Sequence, residues 1–252
     1  MLARADAESR RALELDEKSA EAHAVRSVLL WFRGRLDDGL REAERAIELD
    51  PGSAMVHQVY AWNLMESGQV EDALAGLERA RELDPLVPDR LETLGFFQLA
   101  AGDPDAAIAS LRRALELAPD LEGARLTLAR AYSAKGLDRE ALEEILRLPL
   151  PSEAKAAIRG GFERAGIAGA TRASLELERM KAGRECTDAP AGAAFLLAGL
   201  GQADEMFACL REVLDRDRDP RFRFDLKVDP IYAPYRSDPR FAEVLRAASL
   251  EQ

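Results

Sequence analysis

The stretch Gly68 to Pro85, GQVEDALAGLERARELDP, decides the fold because it is not unique. It recurs in register upstream as Gly34 to Pro51, GRLDDGLREAERAIELDP, and downstream as Gly102 to Pro119, GDPDAAIASLRRALELAP. Each copy opens on Gly, carries a small residue near the start of a helical pattern and an Ala near its end, and closes on Pro. Gly34, Gly68, Gly102 and Gly136 stand 34 residues apart, and so do Ala12, Ala46, Ala80 and Ala114. A fixed period of that size is the signature of a helical repeat array, in which each unit buries its apolar face against its neighbours.

Working outward, apolar residues recur at three- and four-residue spacing, as amphipathic helices require. First helices are expected near 20–33, 53–67, 88–101 and 122–135, and second helices near 36–50, 70–84, 104–118 and 138–147. Glycine at each mid-repeat turn supplies positive φ where the first helix ends. Asp103-Pro104 reads as an N-cap followed by a first-turn proline. Turns this short make neighbouring helices antiparallel. Residues 3–16 look like the second helix of a further repeat whose first helix is absent, and we expect a chain cut from a longer protein. Gly39 stands where Ala73, Ala107 and Ala141 lie in later copies, and Glu17 replaces the closing Pro, so the first repeat is expected to be the loosest.

With Leu91, Leu94, Gly95, Ala107, Leu111, Ala114 and Pro119 in one copy, and Tyr132, Gly136 and Ala141 in the next, the array resembles the tetratricopeptide repeat family. The resemblance implies an all-α fold, an α-α superhelix or TPR solenoid, with small residues where two helices nearly touch.

The period breaks at Pro149-Leu150-Pro151. Beyond it we expect degenerate helical repeats and a partly irregular tail, which divides the chain into an array over 1–150 and a degenerate region over 151–252. Helices are expected near 152–165 and 168–182, then a loop around 183–190, then a further pair with Gly201 at its turn. Phe222, Phe224, Leu226 and Val228 alternate with charged residues, a strand period. No partner strand is evident, so an irregular or short helical segment is expected there, followed by a last helix capped by Asp238 and opened by Pro239. The segments LKVDP and YRSDPRF are similar to the C-terminal tetratricopeptide regions of large bacterial proteins that carry winged-helix, TolB-like, adenylate cyclase or serine/threonine kinase modules. That similarity implies a part of a larger bacterial signalling or transcription regulator.

Composition excludes several function classes. The 46 acidic and 35 basic residues give a net charge of -11, which repels phosphate backbones, so direct nucleic acid binding is not expected. The start, MLARADAESRR, carries charge where a signal peptide needs an apolar run, and no apolar stretch approaches the ~20 residues of a membrane helix. A soluble, cytoplasmic protein follows. Cys186 and Cys209 are too few for a disulfide framework and lack zinc-site spacing; we expect two reduced thiols, with Cys209 in a packing role.

The chemistry-bearing residues are sparse. His23 and His57 sit one period apart but lack further ligands in coordination geometry, so a packing or surface role is expected. Gly160, Gly161 and Gly166 lack the strand and the Lys-Ser/Thr ending of a phosphate loop. No nucleophile–base or paired-carboxylate set is evident, and we expect neither an enzyme nor a cofactor or metal. By the family resemblance the first helices line a concave surface that takes peptides. The groove positions are then Val28, Gln58, Trp62, Met65, Glu92, Phe96, Leu99, Leu126 and Arg130, with Ala24 and Ser133 beside them. The family's carboxylate clamp needs Lys and Asn where this chain has Ala24 and Val28, so that mode is not supported. The apolar lining suits a protein or peptide partner. The competing reading is a structural homo-oligomerisation scaffold, with the same surface closed in a homodimer.

Overall fold

The computed structural model describes residues 2–182, 186, 190–216 and 220–248. Its elements are helices, with no strand among the described residues. In order they are α1 (Leu2–Leu15), α2 (Ala20–Phe32), α3 (Leu36–Leu49), α4 (Ala54–Glu66), α5 (Val70–Leu83), α6 (Pro88–Ala100), α7 (Pro104–Leu117), α8 (Glu122–Ala134) and α9 (Asp138–Leu146). Then come α10 (Ser152–Ala182), α11 (Pro190–Gly199), α12 (Ala203–Arg216), α13 (Pro220–Val228), a 3-10 helix over Pro230–Tyr235, and α14 (Pro239–Ala248). The expected loop at 183–190 falls largely outside the described residues. The chain forms two compact units, Met1–Ala124 and Arg125–Ser249, which divide inside α8, whereas the sequence period breaks at residue 150.

In the first unit, helix ends follow the punctuation. Ser19 and Ser53 accept the backbone N–H of Ala22 and Val56, and Asp103 accepts that of Ala106 at 3.0 Å ahead of Pro104. The turn glycines Gly34, Gly68 and Gly102 all have positive φ, from 74° to 84°, as does Gly136 of the second unit at 72°. At that φ a side chain is strained, which is why glycine marks every turn.

Small residues then set the closeness of each pair. Ala24, Ala43, Ala46, Ala61, Ala73, Ala80, Ala107 and Ala114 are wholly buried. A Cβ on Gly95 would lie 2.5 Å from Leu111 Cγ, so α6 and α7 meet at a glycine. The glycine at position 39 has its own reason. Its missing side chain makes room for Asn63 Oδ1, while Asn63 Nδ2 donates to Ser27 Oγ and to the Val59 carbonyl, both at 2.9 Å. The space that was expected to loosen the first repeat is filled by a buried amide from the next one.

In the second unit α10 changes direction at Ala165 and Gly166, where the backbone leaves helical geometry (φ −150° and 60°). The two expected helices are there, joined by almost no turn. Their backbones touch: a Cβ on Gly169 would lie 2.0 Å from the Gly161 carbonyl oxygen, and one on Gly161 would lie 2.4 Å from that of Gly169. Leu142 of α9 joins Ile158, Ala170 and Ala173 in a small core beside this crossing.

The alternating Phe222, Phe224 and Leu226 lie in α13, not in a strand, and all three are buried. Phe222 and Leu226, one turn apart, enter the main core of this unit. Burial on more than one side gives the helix its strand-like alternation. The expectation of reduced thiols is overturned: Cys186 and Cys209 form a disulfide, both buried in that same core. The pattern of two cysteines carried no such signal because pairing depends on the fold bringing Cys209 of α12 against Cys186.

Candidate functional site

The candidate surface is read from one register position. Val28, Trp62 and Phe96 each stand six residues before the turn glycine of their pair, on α2, α4 and α6. All three are half-buried, so each is partly exposed while the fold holds the rest. Trp62 is braced edge-on against Phe97, with ring centroids 5.0 Å apart and planes at 76°. Phe97 is wholly buried and also tilts against Phe96 at 6.1 Å. One core ring thus touches two half-buried aromatics, Trp62 of α4 edge-on and its own neighbour Phe96 at a tilt, rather than in a face-to-face sandwich.

The other expected contacts separate by burial. Met65 and Leu99 are each 3% exposed, so a partner reaches neither without repacking. Gln58 is half-buried and accepts from Arg90 Nε at 3.4 Å, while Arg90 Nη1 donates to the Asp84 carbonyl at 3.1 Å. Arg90, absent from the expected contacts, is a buried cation that ties α6 to the preceding turn and takes the Gln58 amide with it. The histidines do the same work one and two repeats earlier. His57 Nε2 meets the Pro51 carbonyl at 2.9 Å, and His23 Nε2 meets that of Glu17 at 3.1 Å, with Nδ1 2.6 Å from Glu42 Oε2. Each is committed to its own repeat rather than to a shared ion.

Glu92 stands on α6 one turn before Phe96. Its carboxylate occupies the space left by Gly123, where a Cβ would lie 2.0 Å from Oε1. Burial, and then the negative charge of Asp89, push its pKa above the ordinary value of 4.5. The contribution of Glu92 to stability is therefore full below that ordinary value and is lost as pH rises through the raised folded value. Glu92→Gln is expected to melt higher than the parent at pH 7 and no higher at pH 4, by circular dichroism. An unchanged difference at the two pH values would show that the carboxylate is solvated.

In the second unit Leu126 is 47% exposed on α8. Arg130, one turn further on, is committed within its own unit: its guanidinium pairs with Asp229 and lies 4.7 Å from the Phe195 ring centroid. Spacing within the repeats could not reveal this, because Asp229 lies 99 residues away. No helix among the described residues is long and apolar enough to cross a membrane.

The sequence profile described as Tetratricopeptide repeat matches residues 30–91 and 98–159. No curated protein matches the chain in sequence. Among solved structures, PilF of Pseudomonas aeruginosa is similar at TM-score 0.53 and 20% identity, over 96% of this chain and 88% of that one. MamA is similar at TM-score 0.50 and 22% identity, over 55% of this chain and 81% of that one. YrrB, described as a TPR protein with an unusual peptide-binding site, gives TM-score 0.49 and 19% identity over 87% and 97%. Identities this low speak to the fold alone. The profile match shares its period with the antiparallel helical pairs and their turn glycines, and residues 30–91 and 98–159 are tetratricopeptide repeats.

Proposed function

We propose that the chain is a non-catalytic protein-interaction module whose first-helix face in the unit Met1–Ala124 receives a peptide or protein segment. The observation that carries this reading is the recurrence of half-buried Val28, Trp62 and Phe96 at one register position, with the two aromatics braced on buried Phe97. Rings already held in place lose little freedom when a partner covers them, which is what anchor residues need. Apolar anchors recurring along the first helices suit a segment that presents apolar side chains at helical spacing.

The test uses Trp62 itself. Trp31 and Trp62 are the only tryptophans, so in a Trp31→Phe background the emission reports on the face directly. Peptides selected from a displayed library on the parent protein are expected to shift that emission. They should bind Phe96→Ala about tenfold or more weakly, the loss typical of an anchor, with circular dichroism unchanged. Selected peptides that neither shift the emission nor respond to Phe96→Ala would defeat the proposal.

A place within a larger bacterial signalling or transcription regulator is supported by the LKVDP and YRSDPRF segments alone. Against a cytoplasmic placement stands the Cys186–Cys209 disulfide, since such bonds persist in oxidising compartments.

A further inference from the structure

Asp229 is 3% exposed, and a carboxylate out of water is costly unless it is paired and hydrogen-bonded. The fold meets each need. Arg130 Nη2 donates to Oδ2, and the Ile231 N–H donates to Oδ1 at 2.9 Å. The Asp229 carbonyl accepts from Arg236 Nη2 at 3.2 Å. Tyr232 is buried against Phe241, with centroids 6.3 Å apart, and the Tyr235 hydroxyl donates to the Ala198 carbonyl at 2.7 Å. Residues three apart eclipse in a 3-10 helix, so Asp229, Tyr232 and Tyr235 follow one another along one edge of the Pro230–Tyr235 turn.

What that edge meets is informative. Arg130 stands six residues before Gly136, and Phe195 stands six residues before Gly201, the position that Trp62 and Phe96 hold before Gly68 and Gly102. Ala198, which takes the Tyr235 hydroxyl, stands three before its glycine, as Met65 and Leu99 do. The tail therefore lies on the residues of this unit that correspond to the partner face of the other. Core burial alone explains Tyr232, which joins the main apolar cluster. It does not explain a buried Asp brought to a guanidinium that is itself laid on Phe195.

We infer that the first-helix face of the unit Arg125–Ser249, centred on Arg130 and Phe195, is a binding site for an acidic–aromatic segment, and that the chain fills it in cis with Asp229–Tyr235. The recognised chemistry is a carboxylate for Arg130 with tyrosines three and six residues after it. This rests on the proposal that the position six residues before each turn glycine is a contact position. A tethered segment competes at an effective concentration of millimolar order, so other segments are excluded from this face and partner binding is directed to the unit Met1–Ala124.

The experiment offers the tail in trans. A fluorescent peptide of residues 227–237, KVDPIYAPYRS, is titrated by anisotropy into the full chain and into the Asp229→Ala, Tyr235→Phe variant. The variant is expected to bind about tenfold or more tightly than the parent, whose site is filled. Adding Arg130→Ala, or carrying Asp229→Asn in the peptide, should remove about tenfold or more of that gain, because each breaks the charged pair. Equal binding by parent and variant, or binding indifferent to Arg130→Ala, overturns the inference. If the double variant loses its helical circular dichroism, Tyr235→Phe alone decides: it keeps the ring and deletes only the bond to Ala198, and a smaller gain supports the site while no gain overturns it. Phe96→Ala should leave this readout unchanged, so failure here and failure of the first-unit face are told apart.

Discussion

Gly169→Val is expected to cost about 3 kcal/mol or more of stability, read as a lower urea midpoint by circular dichroism. The two halves of α10 turn back on themselves at Ala165 and Gly166 and cross where Gly161 and Gly169 meet backbone to backbone. A Cβ at 169 would sit 2.0 Å from the Gly161 carbonyl oxygen, a distance no side-chain rotamer can relieve. The helices must part, and the contacts of Ile158, Ala170 and Ala173 with Leu142 part with them. Gly160 provides the control. A Cβ there meets only Arg164 Nη1 at 3.3 Å, the movable end of a long side chain. Gly160→Ala should therefore stabilise by about 0.4–1 kcal/mol, through the reduced freedom of the unfolded chain. Effects of opposite sign at Gly169 and Gly160 would establish the crossing; equal effects would refute it.

Reducing the Cys186–Cys209 disulfide is expected to lower stability by about 3 kcal/mol on the chain-entropy account of a 23-residue separation. For a chain of this length that is roughly 6–12 °C in melting temperature. The Cys186→Ala, Cys209→Ala variant should melt where the reduced parent melts. Alanine is the suitable replacement because both sulfurs are buried in the core with Met206, Phe207 and Leu210, where a serine hydroxyl would add its own penalty. The variant should also be insensitive to dithiothreitol. A parent protein whose melting is unmoved by reductant would show that the apolar core alone holds this unit together.

Much of the fold was legible because its determinants are local. The 34-residue spacing of Gly34, Gly68, Gly102 and Gly136 marked each turn, and all four glycines adopt the positive φ that the turn requires. The caps at Ser19, Ser53 and Asp103 started helices within a residue or so of the expected positions. The α13 segment was harder to read, because Phe222, Phe224 and Leu226 are all buried and the helical period is hidden.

The candidate face was legible only in part. Trp62 and Phe96 could be placed on first helices, but not that Phe97 braces both, nor that Met65 and Leu99 are buried. Gly39 read as a weak point until Asn63 was found in the space it leaves.

By itself, the sequence of this protein determined the tetratricopeptide repeats over residues 30–91 and 98–159 as antiparallel helical pairs, because a repeated pattern of turns, caps and small residues acts over a few residues and is written once per repeat. Tertiary structure alone decided which side chains remain reachable. The pairing of Arg130 with Asp229, of Cys186 with Cys209, and of Gly161 with Gly169 follows from how helices approach one another after they form, and no short-range pattern encodes a distance in space between segments that the chain keeps apart.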